Sequence, residues 1–282
     1  MKNRFKEFLA NVYSVIRRPE MGILPGQLAF FFVLSVVPIV TLIAYGASFL
    51  HLPIDFITDF ISKSFSSEMA KLLIPIVSVQ NISFSFFLTL FIGFYVASNG
   101  ASSIIITSNT IYGIKDAGFI NRRIKAIIMT MIIVLLFLFI LIISVFGNNI
   151  IEIVEYVNMS QHITKTIIFA FNLLKGPVAW FVIFCFIKII YTMAPDRKLP
   201  SSCVNTGAIF TTIMWILVTA FYSFYINNFA NYPAFYGALA NIVMLMLWFY
   251  FLAIIFVVGM ALNYNEEIVK LEKTGAINIK IS

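Results

Sequence analysis

The stretch AIIMTMIIVLLFLFILIISVFG, residues 126–147, contains no charged side chain. An α-helix needs about 20 mainly apolar residues to cross roughly 30 Å of hydrocarbon. A transmembrane β-strand would need only about 9–11 residues and would alternate in polarity, which this run does not do. Residues 126–147 therefore predict a membrane-spanning helix.

Five further apolar runs of similar length lie on either side of this stretch. Because the hydrocarbon core holds no water to pair with the backbone, each run can satisfy its peptide groups only as a helix. We expect an all-α, polytopic membrane protein whose single transmembrane domain covers residues 23–263. The six predicted spans are residues 23–50, 82–107, 126–147, 166–193, 203–226 and 238–262.

The composition of the whole chain agrees with a lipid environment. The 282 residues are 61% hydrophobic and 11% charged, with a mean hydropathy of +0.98. Soluble domains average about 45–50% and about 25%, respectively. Since even large soluble domains bury only about three quarters of their surface, this composition excludes an ordinary soluble enzyme. The net charge of +7 has no soluble domain to carry a basic face, so no nucleic-acid partner is expected.

Lysine and arginine are distributed unequally among the segments that connect the predicted spans. Cytoplasmic segments of membrane proteins carry the excess of these residues. The bias is fourteen to three, which predicts that both termini lie in the cytoplasm. The fourteen are Lys2, Arg4, Lys6, Arg17, Arg18, Lys115, Arg122, Arg123, Lys125, Arg197, Lys198, Lys270, Lys273 and Lys280, and the three are Lys63, Lys71 and Lys165.

Residues 1–22 are expected to form an amphipathic helix on the inner leaflet. Apolar residues such as Phe5, Phe8 and Val12 recur there at helical spacing among basic residues. The apolar run that follows is too long for the central region of a cleavable signal peptide. The helix could be a plain surface anchor or could act in regulation or substrate entry. Residues 264–282 are expected to form a cytoplasmic tail.

Sequence patterns of catalytic sites are not found. The two histidines, His51 and His162, have no Cys, Asp or Glu at ligand spacing, and the predicted spans hold no carboxylate. The chain contains no phosphate-binding loop, no GxGxxG and no GxSxG. We therefore expect no metal, no cofactor and no enzymatic activity. Cys185 and Cys203 indicate no redox role, because disulfides are rare where these residues are predicted to lie.

Lys175 and Lys188 are the only charged residues within the predicted spans. An intramembrane charge is a functional candidate by default, but a long cation near the end of a helix can also reach the interface. Both readings are open for each lysine. Gly176 and Pro177 follow Lys175 and are expected to break the helix, as helices are broken at the binding sites of many transporters.

Uncharged polar residues gather in the predicted cytoplasmic halves of the spans. They could form hydrogen bonds between helices, or they could line a polar cavity open to the cytoplasm. In the second case, the residues expected along the path, together with the two lysines as anion partners, are Gln27, Asn99, Ser102, Asn109 and Asn263.

Several short patterns, in order over residues 20–266, resemble the YihY/virulence factor BrkB family of bacterial inner-membrane proteins, once mislabelled ribonuclease BN. No single piece is diagnostic, but their order is. The matching residues are Leu28-Ala29-Phe30-Phe31-Phe32, Leu34-Ser35, Pro38, Ser98, Asn109, Tyr112-Gly113, Tyr191, Pro195-Asp196, Pro200, Gly207, Tyr225, Tyr236-Gly237, Leu247-Trp248, Tyr250, Gly259 and Ala261-Leu262-Asn263.

The resemblance implies an integral membrane protein, linked in some members to envelope integrity or serum resistance, without a settled reaction. Ribonuclease activity gains no support from these residues. The function we expect is that of a permease or lipid translocator for an anionic or amphiphilic envelope component, with membrane lipids as partners. The alternative is a scaffold that supports envelope assembly without transport.

Overall fold

The computed structural model describes residues 10, 12–13, 16–17, 19–49, 58, 74, 84–156, 177–178, 180–228 and 236–273. Within these ranges the regular structure is helical throughout, and no strand occurs. The α-helices are α1 (Leu24–Phe49), α2 (Phe84–Tyr112), α3 (Phe119–Tyr156), α4 (Trp180–Met193), α5 (Asn205–Asn228) and α6 (Ala240–Lys273). Short 3-10 helices at Pro19–Gly22, Ser201–Val204 and Gly237–Leu239 precede α1, α5 and α6.

Four helices in the described part of the chain are long and apolar enough to cross a membrane. Their apolar stretches are Pro19–Val36, Phe91–Tyr112, Ser201–Ile226 and Ile242–Tyr264. Large apolar side chains remain exposed along them, including Phe91, Phe221 and Phe224. Apolar surface of this extent is stable in lipid and not in water. The expectation of an all-helical membrane protein is confirmed.

The count of six spans and the cytoplasmic placement of the termini stay predictions. The predicted span 126–147 lies within α3, and α4 is a shorter apolar helix that coincides with the second half of 166–193. Helix α6 continues to Lys273, into the stretch assigned to the tail. Most of the predicted amphipathic segment 1–22 lies outside the described residues.

Helix α2 ends at a cap formed by Gly113, which has a left-handed backbone conformation. Gly113 has a φ of 61°, a conformation that glycine adopts without steric cost. The amide of Ile114 donates to the Asn109 carbonyl at 2.8 Å, and the amide of Gly113 donates to the Thr110 carbonyl at 3.3 Å. These two bonds form a Schellman motif, which pairs carbonyls that would otherwise be unsatisfied at the helix end.

The chain divides into two compact units. The first comprises Met1–Ser35, Ser98–Met129 and Ile187–Ser282, and the second comprises Val36–Ala97 and Thr130–Phe186. Apart from Thr130, the buried side chains described in the second unit are apolar, among them Val40 and Leu138, and Trp180 is exposed. The other buried polar side chains described here lie in the first unit.

Within the first unit, α5 and α6 pack against each other as an antiparallel pair. The indole nitrogen of Trp215 donates to the Leu252 carbonyl at 2.9 Å, and the Tyr222 hydroxyl donates to the Met244 carbonyl. Successive partners on α6 move backwards along the chain as those on α5 move forwards. These bonds satisfy side-chain donors where lipid offers no alternative partner.

Candidate functional site

The first unit buries an unusual number of polar side chains for a membrane domain. Burial of an unpaired polar group in hydrocarbon is energetically unfavourable. The partners of these side chains therefore indicate which of them stabilise contacts between helices and which are open to a ligand. The buried polar residues described in this unit are Ser35, Ser98, Ser103, Thr107, Ser108, Asn109, Thr211, Thr212 and Asn263.

Tyr191 joins α4 to both α5 and α6. Its side chain is 1% exposed, and its hydroxyl donates to the Phe256 carbonyl at 2.8 Å. The same oxygen lies 2.7 Å from Thr211 Oγ1. Because the tyrosine proton is used by Phe256, the Thr211 hydroxyl is the donor in this second bond. The Tyr191 and Phe256 rings are also in contact, with centroids 4.7 Å apart, so one side chain fixes three helices.

Asn263 and two glycines set the distance between α5 and α6. Asn263 Oδ1 accepts a hydrogen bond from the Gly207 amide at 2.7 Å, which pairs one of the unsatisfied amides in the first turn of α5. A Cβ at Gly207 would collide with the Gly259 carbonyl oxygen and the Asn263 amide, and a Cβ at Gly259 would collide with Thr211 and Tyr191. Only glycine at both positions permits this approach.

A second cluster centres on Asp196, which follows α4. Asp196 Oδ1 lies 2.7 Å from Lys125 Nζ of α3, and Asp196 Oδ2 accepts from Asn109 Nδ2 of α2 at 2.7 Å. The Asp196 amide in turn donates to Asn109 Oδ1 at 2.9 Å. Lys125 Nζ also donates to the carbonyls of Ala194 and Pro195, at 2.8 and 2.7 Å. We call the side chains of Asp196, Lys125 and Asn109 the Asp196 clasp.

The loop between α2 and α3 closes over the same carboxylate. The Ala117 amide donates to Asp196 Oδ2 at 3.2 Å. Asp116 accepts from the Gly118 amide at 2.8 Å and forms an ion pair with Arg122. Gly118, with a φ of 96°, lets the chain turn into the first residue of α3. The clasp therefore ties together the ends of α2, α3 and α4.

The surroundings of Asp196 determine its protonation. Desolvation of its side chain, which is 7% exposed, raises the pKa. Hydrogen bonds from Lys125, Asn109 and Ala117, together with the charge of Lys125, outweigh desolvation and hold the pKa below its ordinary value. Asp196 is thus a carboxylate stabilised by its partners in the folded state.

This lowered pKa predicts how stability depends on pH. A carboxylate with a lowered folded-state pKa stabilises the protein above its ordinary pKa, about 3.9, and that stability is lost as the pH falls through the lowered value. The wild-type protein should therefore be more stable to heat than Asp196→Asn at pH 7, and this difference in stability should disappear below about pH 4. Thermal unfolding of both proteins from pH 7 to pH 3 measures this, and an advantage that stays constant over the range would contradict it.

The hydroxyls of Ser103, Thr107 and Ser108 on α2 are buried and find no hydrogen-bond partner in the described part of the chain. Ser103, Thr107 and Ser108 are each 1% exposed or less, and within the described residues their Oγ atoms find no partner. Asn263 Nδ2 is in the same situation. Ser103 and Thr107 are four residues apart and lie on one face of α2. We call Ser103, Thr107 and Ser108 the unpaired hydroxyl stripe.

The residues proposed from the sequence for a substrate path fall into separate surroundings. Asn109 and Asn263 are bound as described above, and Asn99 Oδ1 accepts from Arg123 at 2.8 Å. Gln27, Ser102 and Lys188 are half-buried, and Pro177 is exposed. The Lys188 carbonyl accepts from the Thr192 hydroxyl at 2.8 Å. Lys175 and Gly176 lie outside the described residues.

Sequence reasoning missed the partners of these residues. Lys125 was counted only as a charge that orients the chain, and Tyr191 and Asp196 entered only through the family resemblance. A signal was present in the Pro195-Asp196 pair, directly after a predicted span. The described residues contain no group of His, Cys, Asp and Glu that could hold a metal ion.

Comparison with known proteins identifies the family. The model of the virulence factor BrkB family matches residues 12–276. The chain is 29% identical over 265 residues to the ribonuclease-like protein YfkH of Bacillus subtilis (strain 168), covering 91% of this chain and 94% of that protein. It is 32% identical over 100 residues to a UPF0761 membrane protein of Idiomarina loihiensis, covering 34% of this chain and 35% of that protein. No solved structure matches significantly.

The family match extends over nearly all of the chain and confirms the resemblance found in the short patterns. The related UPF0761 proteins are membrane proteins, and the apolar helices described above agree with them. The protein is a multi-pass bacterial membrane protein. By the match of residues 12–276, the chain belongs to the virulence factor BrkB family.

Proposed function

We propose that the protein is a permease or translocator for an anionic or amphiphilic component of the bacterial envelope. The observation that carries this proposal is the unpaired hydroxyl stripe of α2. A buried hydroxyl without a partner is unfavourable by roughly 1–3 kcal/mol, and lipid supplies no partner. Water or a polar part of a substrate, passing along α2, would provide the missing hydrogen bonds.

The position of the stripe supports the same function. Ser103 and Thr107 belong to the apolar stretch Phe91–Tyr112, which is long enough to cross a membrane. Asn263, whose Nδ2 is also buried without a partner, belongs to the stretch Ile242–Tyr264. Polar side chains at membrane depth usually mark a substrate pathway or a contact between helices. Contacts between helices would leave the polar atoms paired, as Tyr191 and Thr211 are.

A cysteine accessibility experiment tests this proposal. Thr107→Cys is made in a background in which Cys185 and Cys203 are replaced by alanine, and a membrane-impermeant thiol reagent is applied to each side of the membrane in turn. Such reagents attack the thiolate, which forms only in contact with water. We expect Thr107→Cys to react from one side.

The matched control is Ile105→Cys. Ile105 and Thr107 are both 0% exposed and lie two residues apart on α2, so burial alone predicts equal protection. Because Ile105 lies about 200° around the helix from Thr107, its cysteine variant should stay unmodified. If Thr107→Cys is as unreactive as Ile105→Cys, the stripe is dry and the permease proposal fails.

A scaffold without transport is the second candidate, and the packing of α5 against α6 favours it. The contact at Gly207 and Gly259 and the bonds of Tyr191 form a rigid interface of the kind that a structural protein needs. A dry stripe in the cysteine experiment would support this candidate.

We also propose that the protein acts without covalent chemistry. The Bacillus relative is ribonuclease-like by its name. In this chain, general acid–base hydrolysis would need a titratable pair held together at a reaction site. The titratable pairs described here, Lys125 with Asp196 and Arg122 with Asp116, are ion pairs whose groups are engaged in binding each other.

A further inference from the structure

An open pocket of about 320 Å³ lies in the first unit beside the Asp196 clasp. It is formed by the end of α4, the segment that follows α4, and parts of the α2–α3 loop and α3. The residues that line it are Ala117, Lys125, Thr192, Met193, Pro195, Asp196, Arg197 and Lys198.

The lining of this pocket is positively charged. Lys125, Arg197 and Lys198 are its cations, and Asp196 is its one carboxylate. Both oxygens of that carboxylate are already bound, Oδ1 by Lys125 and Oδ2 by Asn109 and the Ala117 amide. Asp196 therefore compensates Lys125, while Arg197 and Lys198 are exposed, so the lining carries two more cations than carboxylates. An excess of this kind attracts an anion.

The wall of the pocket is held in place before any ligand arrives. Lys125 binds the carbonyls of Ala194 and Pro195, and Asn109 binds the amide of Asp196. The backbone immediately before Arg197 and Lys198 is thus fixed by three hydrogen bonds to its carbonyl and amide groups, and the Asp196 side chain adds three more. A preorganised wall lowers the entropy lost when a ligand binds.

The position of the pocket along the chain indicates what kind of anion it meets. Residues 194–200 connect the apolar helix α4 with the apolar stretch Ser201–Ile226. Such a connection lies at the level of the lipid headgroups, whichever side of the membrane it faces. Basic pockets between the ends of membrane helices bind the phosphate groups of anionic lipids.

We propose that this pocket binds the phosphate group of an anionic phospholipid, with Lys198 as a charged contact. The site is separate from the unpaired hydroxyl stripe, and it does not depend on whether the protein transports anything. A phosphate oxyanion accepts hydrogen bonds from arginine and lysine without any change in its covalent structure. The bound lipid would hold the ends of α3 and α4 at the membrane surface.

The experiment measures binding of short-chain lipids to the purified full-length protein in detergent. The probes are dihexanoylphosphatidylglycerol, dihexanoylphosphatidylcholine and glycerol 3-phosphate, and the readout is the dissociation constant from the shift in thermal unfolding with ligand concentration. We expect dihexanoylphosphatidylglycerol to bind most tightly. Equal affinity for dihexanoylphosphatidylcholine would overturn the proposal, and equal affinity for glycerol 3-phosphate would overturn the assignment to a lipid.

A matched pair of variants separates the pocket from the general basic charge of the surface. Lys198→Gln should weaken binding of dihexanoylphosphatidylglycerol by about fivefold, as expected for one lysine near an anionic headgroup. Lys115→Gln removes the same charge from an exposed residue that does not line the pocket, and should change binding by less than about twofold. Equal losses in the two variants would show that the surface attracts the lipid without a site.

Discussion

Replacement of Lys125 by methionine is expected to destabilise the protein by about 1.5–3 kcal/mol. The change keeps the length and apolar stem of the side chain but removes the charge that binds Asp196, and it also leaves the carbonyls of Ala194 and Pro195 without their donor. Lys125 keeps 24% of its side chain exposed, so the cost is below that of a fully buried pair, but removal of one partner still leaves the other charge desolvated. The Asp196 side chain, at 7% exposed, is in that position.

Reversible unfolding in mixed detergent micelles, monitored by circular dichroism, gives the free energy of unfolding. The matched control is Arg122→Met, which breaks the ion pair with Asp116, whose side chains are 22% and 35% exposed. Exposed pairs contribute about 0–1 kcal/mol, so this variant should stay close to the wild type. A loss at Lys125 no larger than the loss at Arg122 would show that the clasp does not hold the helix ends together.

The double variant Lys125→Met/Asp196→Asn extends the same measurement. Once Asp196 is neutral, loss of Lys125 no longer leaves a buried charge, so the second substitution should add much less than it costs alone. The two effects should therefore be strongly non-additive. Simple addition of the two losses would mean that Lys125 acts only through the carbonyls of Ala194 and Pro195.

Gly207→Ala is expected to have an effect at least as large, about 3 kcal/mol or more. The added methyl group would collide with the Gly259 carbonyl oxygen, which belongs to the backbone of α6 and cannot rotate away. Relief of the clash must separate α5 from α6, and that separation also breaks the bond between the Gly207 amide and Asn263. The variant should unfold at a lower detergent concentration and yield less protein in the membrane.

Gly93→Ala provides the control. Gly93 also lies within an α-helix, but a Cβ at this position meets no atom within 4 Å. Since alanine favours a helix over glycine by roughly 1 kcal/mol, this variant should be neutral or slightly more stable. If Gly207→Ala is equally well tolerated, then α5 and α6 are not as close as the structure places them.

The ends of the helices show where hydropathy predicted the structure correctly and where it did not. The prediction ended the second span at residue 107, within the polar run Thr107, Ser108 and Asn109. The helix continues to Tyr112, since those residues are buried and the chain turns only at Gly113. A polar residue ends an apolar run, but a helix ends where its backbone finds a cap.

Asn109 illustrates the same limit for the candidate site. The sequence grouped it with other polar residues of similar depth, and that grouping left two interpretations open, hydrogen bonds between helices or a polar cavity. In the structure its amide group is bound on both sides by Asp196, 87 residues further along the chain. Nothing near Asn109 in the sequence indicates this partner, because the contact depends on how α2 and α4 approach each other.

Hydropathy and charge along the chain were enough to identify a helical, multi-pass membrane protein, because the free energy of placing a segment in lipid depends on the composition of that segment alone. The order of short patterns was enough to identify its family. Only the tertiary structure showed that Lys125 binds Asp196, that Gly207 meets Gly259, and that the hydroxyls of Ser103, Thr107 and Ser108 are buried without partners among the residues described. Those relations join residues that are distant in sequence, and they arise from the packing of one helix against another, which no single segment specifies.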